Sequence, residues 1–270
     1  MDRLDRYVRT DSQTVEGWLR PEAADLISHL ARRSEARGAV GEIGVHHGKL
    51  FILLSLCRRP DEAAVAIDLF ESQDLNIDHS GAGDRGKFDA NLARLDPEAA
   101  SVVIQSADST TLTADALREL AGGAYRLFSV DGGHTADITA HDLTVSSRAL
   151  ADGGLLILDD YFNNSWPGVS EGTNRFLAAD PPVVAFASGH GKMFLTHEHA
   201  VAGYRAAVAE LAGQRGWKLT EQPFFDMPHS IVQTRPRPMA PQRAKAWARS
   251  TKLGNKASDV VRARRGRKTA

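Results

Sequence analysis

The strongest constraint on the fold is the alternation of short apolar segments with helical patterns between residues 39 and 160. The apolar segments are AVGEIG (39–44), AAVAIDLF (63–70), SVVIQ (101–105), YRLFSV (125–130) and GLLILDD (154–160). Strands that are apolar along most of their length are buried on both faces, and consecutive parallel strands need a crossover helix between them. The pattern therefore predicts an α/β domain whose parallel sheet is covered by helices on both faces.

The segments on either side extend this domain. Pro21 opens a helical pattern that ends before Gly38, so residues 1–37 are interpreted as a helical N-terminal cap. Towards the C-terminus, VVAFA and KMFLT flank Ser188–Gly191, which is typical of an antiparallel hairpin. A helix at 200–213 and an aromatic-rich strand region at Trp217–Val232 follow. One domain is therefore predicted over residues 1–234.

Composition excludes several classes of protein. Apolar residues make up 42% and charged residues 25% of the chain, which is ordinary soluble usage and excludes a wholly disordered or fibrous protein. The longest apolar stretch, about seven residues from Phe51 to Cys57, is far shorter than a membrane span of roughly 20 residues. Cys57 is the single cysteine, which excludes an internal disulfide. The charged N-terminus lacks a signal-peptide pattern, so we expect a cytoplasmic protein.

Charge is unevenly distributed along the chain. Residues 235–270 carry 12 Lys/Arg and one Asp, whereas residues 1–234 carry 21 Lys/Arg and 33 Asp/Glu. We therefore predict a basic C-terminal arm, which opens with the helix-breaking sequence RPRPMAP. Three interpretations remain open: a solvated tail, an arm that folds back on an acidic body, and a polyanion-binding segment. Nucleic acid is not the expected partner, because no aromatic stacking surface accompanies these charges.

The first predicted strand runs into a glycine turn at Glu42-Ile-Gly44-Val-His-His-Gly48. Where a strand leads through glycines into a helix, free backbone N–H groups favour a bound ligand. The dinucleotide pattern G-x-G-x-x-G is broken here, because His46 and Lys49 stand where it requires glycine. An acid before the first glycine suits a cationic ligand better than a pyrophosphate. His46 and His47 are expected to point apart and to line the cofactor site or the surface.

Further polar residues follow the next two strands. Asp68 ends the second strand, where an acid can bind a ribose diol, and Asp108 with Ser109 follow the third. This ordered series resembles the class I S-adenosylmethionine-dependent methyltransferases over residues 38–196. The resemblance implies a Rossmann-like, seven-stranded, mostly parallel sheet. The structural alternative is an α/β domain in which these acids only cap helices.

The same resemblance implies a role for each residue of the turn and of the strand ends. Glu42 would hold the methionine amino group of S-adenosylmethionine, while Gly44 and Gly48 would allow close approach of the backbone. Asp68 would bind the ribose hydroxyls, and Asp108 with Ser109 would bind the adenine.

Three carboxylates follow the fourth and fifth strands, as Asp131 and as the pair Asp159-Asp160. Neighbouring parallel strands bring their carboxyl ends together, so these acids should converge and repel one another unless a cation lies between them. Oxygen ligands favour Mg²⁺, with Mn²⁺ as a substitute. Alternatively, Asp159 and Asp160 cap the next segment and Asp131 forms a turn.

This set resembles that of the metal-dependent O-methyltransferases, in particular the group that acts on sugar hydroxyls. Catechol-type members carry a lysine base three residues after the first ligand, and this chain has His134 at that spacing. Histidine suits general-base catalysis because its pKa lies near neutrality. The open alternative is that His134 orients or caps, and that Asp131 removes the proton.

Two polar loops are predicted beside these acids, at Glu71–Gly86 and Tyr161–Thr173. The first is too long for a plain connection and is interpreted as a lid or a binding loop. The second carries residue types that stack on and hydrogen-bond to sugars, so the candidate acceptor-binding residues are Tyr161, Asn163, Trp166 and Glu171. Ordinary packing at the sheet edge is the alternative for these four.

The sequence therefore predicts a Mg²⁺-dependent O-methyltransferase acting on a saccharide, such as a mannoside, another polysaccharide precursor or an antibiotic sugar. One rival is an NAD-dependent sugar dehydrogenase or epimerase on the same fold, against which the broken glycine pattern argues. The other is a polyanion-binding protein acting through residues 235–270. Relatives of this kind are often dimers, so a homodimer is one expected state.

Overall fold

The sheet at the centre of the protein has nine strands, which a computed structural model describes together with the rest of residues 2–99 and 102–234. The strands are β1 (Ala39–Ile43), β2 (Ala64–Asp68), β3 (Val102–Ser106), β4 (Tyr125–Val130), β5 (Leu150–Asp159), β6 (Val184–Gly189), β7 (Lys192–Thr196), β8 (Lys218–Phe224) and β9 (Met227–Gln233). The helices are α1 (Arg3–Arg9), α2 (Pro21–Arg33), α3 (Lys49–Leu56), α4 (Arg85–Leu95), α5 (Ala114–Ala121), α6 (Ala136–Ala149), α7 (Pro167–Ala178) and α8 (Val201–Arg215).

The sheet order is β3-β2-β1-β4-β5-β7-β6-β9-β8. Strands β1 to β5 are parallel to one another, and β7 runs antiparallel between β5 and β6. From β1 the chain first adds β2 and β3 on one side of the sheet and then β4 and β5 on the other. In open α/β sheets, ligands bind at such a switch point, here at the carboxyl ends of β1 and β4. The predicted α/β class with its C-terminal hairpin is confirmed.

The predicted count of seven strands is wrong. The aromatic-rich segment forms two strands, β8 and β9, which pair antiparallel across Phe225 and Asp226. Both turn residues have positive φ, 47° and 59°, as a tight hairpin turn between right-twisted strands requires. Strand β9 then pairs parallel with β6, so the hairpin extends the sheet at its far edge.

Helices cover both faces of the sheet, as predicted. One core cluster contains the apolar residues of α2, α3 and α8, and the other contains those of α5, α6 and α7. All residues of β1 and β4 are buried, which explains why these strands are apolar along their length. Thr113 caps α5, because its hydroxyl accepts from the Ala116 N–H at 3.1 Å.

Two regions differ from the sequence prediction or lie outside what the structure describes. The predicted loop Tyr161–Thr173 is a loop only as far as Trp166, since Pro167 starts α7 at a first helical position that favours proline. The basic arm predicted at 235–270 lies outside the described residues, and residues 1–233 cluster as one compact unit. Within that described part of the chain, no helix has the length and apolar character needed to cross a membrane.

A buried ion pair fixes the amino-terminal side of the sheet. Arg126 on β4 is fully buried and contacts both carboxylate oxygens of Glu62, with the closest approach at 2.7 Å. The same guanidinium donates to the carbonyls of Ala31 and Cys57, which ties α2 and α3 to the sheet. Each nitrogen of the Arg126 guanidinium has an acceptor, which holds the group in place. Removing the guanidinium leaves the Glu62 carboxylate without its main partner.

We predict that Arg126→Met lowers the free energy of unfolding by about 3–5 kcal/mol, the usual cost of breaking a buried pair by removing one member. Chemical denaturation followed by circular dichroism measures the change. Arg3→Met is the matched control, because the 3.1 Å pair of Arg3 with Glu98 is exposed and should contribute less than about 1 kcal/mol. Equal effects of the two substitutions would contradict a structural role for the buried pair.

Candidate active site

A cleft of about 820 Å³ opens at the carboxyl ends of β1, β2, β4 and β5. Its floor forms where the turn after β1 meets the turn after β4. At Gly44 φ is +84°, and a Cβ there would lie 1.8 Å from the carbonyl oxygen of Asp131. Only glycine fits this contact, which explains the first glycine of the turn. The cleft includes most of the predicted cofactor and metal residues.

Glu42 lies at the end of β1 beneath this turn and is 1% exposed. Burial raises the pKa of its carboxyl to about 8, and the nearby Lys192 ammonium opposes that shift. Its Oε2 atom has no hydrogen-bond partner among the described residues. A buried carboxyl with a free acceptor, at the edge of a cleft, is suited to binding an ammonium group.

Asp68 lies at the end of β2 and lines the cleft. Its carboxylate accepts the backbone N–H groups of His46 at 2.8 Å and of Phe70 at 2.7 Å. Burial raises its pKa, and these hydrogen bonds oppose the rise. Gly83 from the long loop lies against the same carboxylate, where a Cβ would come within 2.6 Å of Oδ1. Asp68 is therefore a cleft residue that also organises the turn.

Gly48 and the two histidines complete the turn. Gly48, with φ +90°, is the N-cap of α3, and a Cβ there would lie 3.0 Å from the Phe88 ring. The expectation that His46 and His47 point apart is wrong, because their rings stack at 3.7 Å. Neighbouring side chains point to opposite sides only in extended backbone. His46 instead has a left-handed backbone, with φ 49°. His46 lines the cleft, whereas His47 is buried.

Asp108 and Ser109 follow β3 and also line the cleft. One oxygen of Asp108 caps a short 3₁₀ turn by accepting from the Thr110 N–H at 2.9 Å and from the Thr110 hydroxyl at 2.7 Å. Ser109 donates its hydroxyl proton to Asp142 Oδ2 at 3.0 Å. Asp142, on α6, is fully buried. Sequence reasoning missed Asp142, because an acid inside a helical pattern is indistinguishable from a surface residue until the helix is placed.

A metal-binding constellation lies at the ends of β4 and β5. Asp131, His134 and Asp160 each offer one ligand atom, and these atoms lie within 4.8 Å of one another. Asp160 reaches this place with a left-handed backbone, φ 61°, which an aspartate tolerates better than most residues. Asn163 donates to its carboxylate at 3.0 Å. The two carboxylates suit Mg²⁺ or Mn²⁺, and the imidazole lies beside them.

Asp159, the third predicted metal ligand, has a different neighbour. Its carboxylate forms a hydrogen-bonded ion pair with the ammonium group of Lys192, which is 3% exposed. Burial first, and then the negative charge of the Asp159 carboxylate, raise the pKa of Asp131. Asp131 and Asp160 therefore share the constellation with His134, whereas Asp159 pairs with a lysine.

Lys192 was not identified from the sequence. It starts β7, which pairs antiparallel with β5 so that Lys192 stands opposite Asp159. The available signal was the lysine at the start of the apolar segment KMFLT. Its significance depends on β7 lying beside β5, which sequence spacing does not reveal.

His134 is held in place by contacts on three sides. Its backbone N–H donates to Asp78 Oδ2 at 2.5 Å, and its Nδ1 lies 3.1 Å from the same oxygen. Its Nε2 is 3.5 Å from Asp160 Oδ2, and its ring stacks on Trp166 at 4.3 Å. Burial lowers the pKa of His134, but the carboxylates of Asp160 and Asp78 outweigh burial and raise the pKa overall.

The long loop that carries Asp78 is less polar towards the cleft than its composition suggests. Leu75 and Ile77 line the cleft mouth and are 46% and 70% exposed. Trp18, from the N-terminal cap, lines the same cleft and is 77% exposed. Exposed apolar side chains at a cleft mouth mark a surface that a ligand can cover. The loop predicted to be polar therefore also places apolar side chains at the cleft mouth.

The four predicted acceptor-binding residues divide into two pairs. Asn163 and Trp166 line the cleft. Tyr161 does not, because its ring is buried against Phe224 and its hydroxyl donates to Asn174 at 2.9 Å. Glu171 lies outside the cleft lining on α7 and pairs with Arg175 one turn later. Glu171 was predicted on the assumption of a loop that continues to Thr173.

We predict that Asp78→Asn lowers the pKa of His134 in the metal-free protein by several tenths of a unit to about one unit. The carboxylate stabilises the imidazolium form, so its removal favours the neutral ring. Titration of the histidine ring signals by NMR measures the shift. Asp74→Asn, an exposed acid on the same loop, should leave that pKa unchanged. An unshifted His134 signal in Asp78→Asn would contradict the contact.

Comparison with known proteins agrees with this geometry. Residues 42–161, from Glu42 to the residue after Asp160, match the model of a family described as a methyltransferase domain. The search of curated proteins found no match. Among solved structures, the O-methyltransferase NovP is similar at 16% identity with a TM-score of 0.53, covering 65% of this chain and 80% of that one.

Two further similar structures are the methyltransferases CalS11 and MycE. CalS11, titled a TDP-rhamnose 3′-O-methyltransferase of calicheamicin biosynthesis, is 20% identical with a TM-score of 0.48, covering 66% of this chain and 81% of that one. MycE, from the mycinamycin biosynthetic pathway and solved with Mg, SAH and mycinamycin VI, is 16% identical with a TM-score of 0.48, covering 72% and 53%.

The family match spans the part of the chain that carries the glycine turn and the acids after β1 to β5. The likeness to NovP shows the same fold across the sheet. Residues 42–161 are therefore similar to a methyltransferase domain, and the chain has the fold of the O-methyltransferase NovP.

Proposed function

We propose that the protein is a Mg²⁺-dependent O-methyltransferase that transfers the methyl group of S-adenosylmethionine to a hydroxyl of a saccharide. The observation that carries the proposal is the meeting of Asp131, His134 and Asp160 within 4.8 Å, in the cleft that also contains the Glu42 turn. A site for a divalent cation beside a methyl donor is suited to activating a hydroxyl acceptor. Catalysis is assigned to residues 1–234.

The cofactor roles follow the order of the strands. Glu42 would bind the amino group of the methionine part, supported by its buried and unpartnered Oε2. Gly44 and Gly48, which have no side chain, would allow the backbone to approach the cofactor closely. Asp68 would bind the ribose hydroxyls, and Asp108 with Ser109 would bind the adenine. Both Asp68 oxygens already accept an N–H group, but a carboxylate oxygen has a second lone pair.

Asp131 and Asp160 are the proposed metal ligands. Asp159 was the third candidate. Its ion pair with Lys192 favours an indirect role, in which these two charged groups act on the pKa of Asp131. His134 takes the third place in the constellation, where its role is to remove a proton beside the metal and not to bind the metal. When bound, Mg²⁺ would lower the pKa of the acceptor hydroxyl. Mn²⁺ would substitute because it accepts the same oxygen ligands.

His134 is the proposed general base. Asp78 holds its Nδ1, as an orienting carboxylate does for a catalytic histidine, and leaves Nε2 directed at Asp160. As the acceptor oxygen bonds to the methyl carbon, the sulfur–methyl bond breaks and its electron pair stays on sulfur. The hydroxyl proton moves to His134, whose cationic form the two carboxylates stabilise. Asp131 is the alternative base, since its raised pKa favours proton uptake.

The acceptor would lie between the loop after β5 and the long loop after β2. Asn163 and Trp166 offer an amide and an aromatic ring to a sugar. Trp18, Leu75 and Ile77 add exposed apolar area at the mouth, which an apolar part attached to the sugar would cover. A mannoside, a polysaccharide precursor or an antibiotic sugar remain the candidate acceptors.

The proposal is tested by transfer of the labelled methyl group from S-adenosylmethionine to a panel of free sugars and of methyl, alkyl and aryl glycosides, with Mg²⁺ or with a chelator. Methylated sugar should form only with the metal. Activity that is insensitive to the chelator would contradict the metal role. Binding of NAD(H) in place of S-adenosylmethionine, measured by calorimetry, would favour the dehydrogenase rival.

We predict that Asp131→Asn and Asp160→Asn each reduce metal-dependent turnover by at least about 10²-fold, because each removes a charged ligand of the cation. Binding of S-adenosylhomocysteine, measured by calorimetry, should change less than about threefold in Asp160→Asn. Asp137→Asn is the control, because Asp137 is exposed on α6 and pairs with Arg175. Wild-type turnover in Asp160→Asn would remove it from the metal site.

We predict that His134→Ala lowers kcat by roughly 10²–10⁴-fold, the usual contribution of a general base. His199→Ala is the matched control, because His199 is 60% exposed and pairs with Asp152. Stopped-time assays at saturating cofactor measure both variants. A loss below about tenfold would assign proton removal to Asp131 instead.

A further inference from the structure

Asp142 is a buried acid that the proposed reaction does not use. It lies on α6, is 0% exposed, and its Oδ1 has no hydrogen-bond partner among the described residues. Its Oδ2 accepts the Ser109 hydroxyl at 3.0 Å. Burial raises the pKa of Asp142 to about 7, against the Ser109 hydrogen bond. Keeping such a group in a core is costly, so its position directly behind a cleft residue calls for a role.

The carboxylate lies immediately beneath the cleft floor. A Cβ on Gly132 would come within 2.8 Å of Asp142 Oδ2 and 3.9 Å of the Ser109 hydroxyl oxygen. Gly132 and Ser109 both line the cleft, whereas Asp142 does not. Asp142 can therefore reach a bound molecule only through Ser109. His141, the preceding residue, holds the same segment through the Ser109 carbonyl at 3.2 Å.

The contact restricts what Ser109 can offer to a ligand. A serine hydroxyl has one proton to donate and two lone pairs that accept. Because the proton is directed at Asp142, the cleft is offered the lone pairs alone. The neighbouring Asp108 carboxylate, when ionised, is also an acceptor without a proton. The two polar side chains of this wall, Ser109 and Asp108, therefore accept hydrogen bonds from a ligand and do not donate them.

We propose that Asp142, acting through Ser109, makes the cofactor site selective for a purine that carries an exocyclic amino group at position 6 over the corresponding 6-oxo purine. An amino group donates to the Ser109 lone pair, whereas a 6-oxo group brings a second acceptor against it. A site built from hydrogen-bonding groups rejects an analogue that leaves them unmatched. Asp142 is thus a positioning residue. The proposal depends on cofactor binding and not on the metal or on the acceptor.

The test compares the dissociation constants of S-adenosylhomocysteine and of its 6-oxo counterpart, S-inosylhomocysteine, by calorimetry on the full chain. The wild-type protein should prefer the adenosyl compound by at least about 30-fold, roughly 2 kcal/mol. In Asp142→Leu the hydroxyl is free to donate, so the preference should fall about tenfold. Asp142→Asn should retain it, because the side-chain carbonyl still accepts the hydroxyl proton.

Ser109→Ala separates this role from a structural one and does not depend on the folding of Asp142→Leu. It should also reduce the preference about tenfold, and Asp142→Leu should reduce it no further in the Ser109→Ala background. The control is Ser55→Ala, which removes a buried hydroxyl that donates to Asp96 at 2.7 Å. Ser55 does not line the cleft. It should leave the preference unchanged.

Two results would overturn the inference. One is a preference that stays within twofold of the wild-type value in Ser109→Ala. The other is an equal weakening of both compounds, which would make Asp142 and Ser109 structural. A wild-type protein that binds neither compound would reject the cofactor assignment itself, whereas failure of sugar methylation alone would leave this inference standing.

Discussion

The organisation of the site depends on the repulsion among carboxylates gathered at the ends of β1, β4 and β5. Burial and the neighbouring Asp159 carboxylate raise the pKa of both Glu42 and Asp131, and one buried ammonium, that of Lys192, opposes both shifts. Because desolvated like charges cannot all ionise without compensating cations, one lysine is not enough for all three acids to be ionised at once. A cationic donor at Glu42 and a divalent ion at Asp131 and Asp160 would supply the balance. Cofactor and metal binding are thus expected to relieve the same electrostatic constraint.

The constraint also connects the cleft to the loops that flank it. Asp78 brings the long loop against His134, and Trp166 brings the loop after β5 against the opposite face of the same ring. His134 therefore lies where both loops meet the metal constellation. We expect a histidine held in this way to remove a proton at the place where the acceptor enters. The exposed Trp18, Leu75 and Ile77 surround that entrance and leave apolar area for the acceptor to cover.

Residue pattern predicted the sheet, its helices and the carboxyl-end acids, because buried parallel strands and switch-point sites follow from local periodicity and chain order. It could not predict the roles of Lys192 and Asp142, since each depends on a neighbour distant in sequence. Lys192 on β7 pairs with Asp159 on β5, and Asp142 on α6 accepts from Ser109. Tyr161 and Glu171 lie outside the cleft lining, Tyr161 because its ring packs against Phe224 and Glu171 because α7 starts at Pro167. The two extra strands, β8 and β9, were missed because one aromatic segment contained a hairpin turn without glycine.

Anomalous diffraction from crystals grown with Mn²⁺ and S-adenosylhomocysteine tests metal binding at the strand ends most directly. We expect one strong peak within about 2.0–2.4 Å of carboxylate oxygens of both Asp131 and Asp160. A cleft that holds the cofactor product but shows no peak there, or a peak bound elsewhere on the chain, would contradict a metal-assisted methyl transfer at this site.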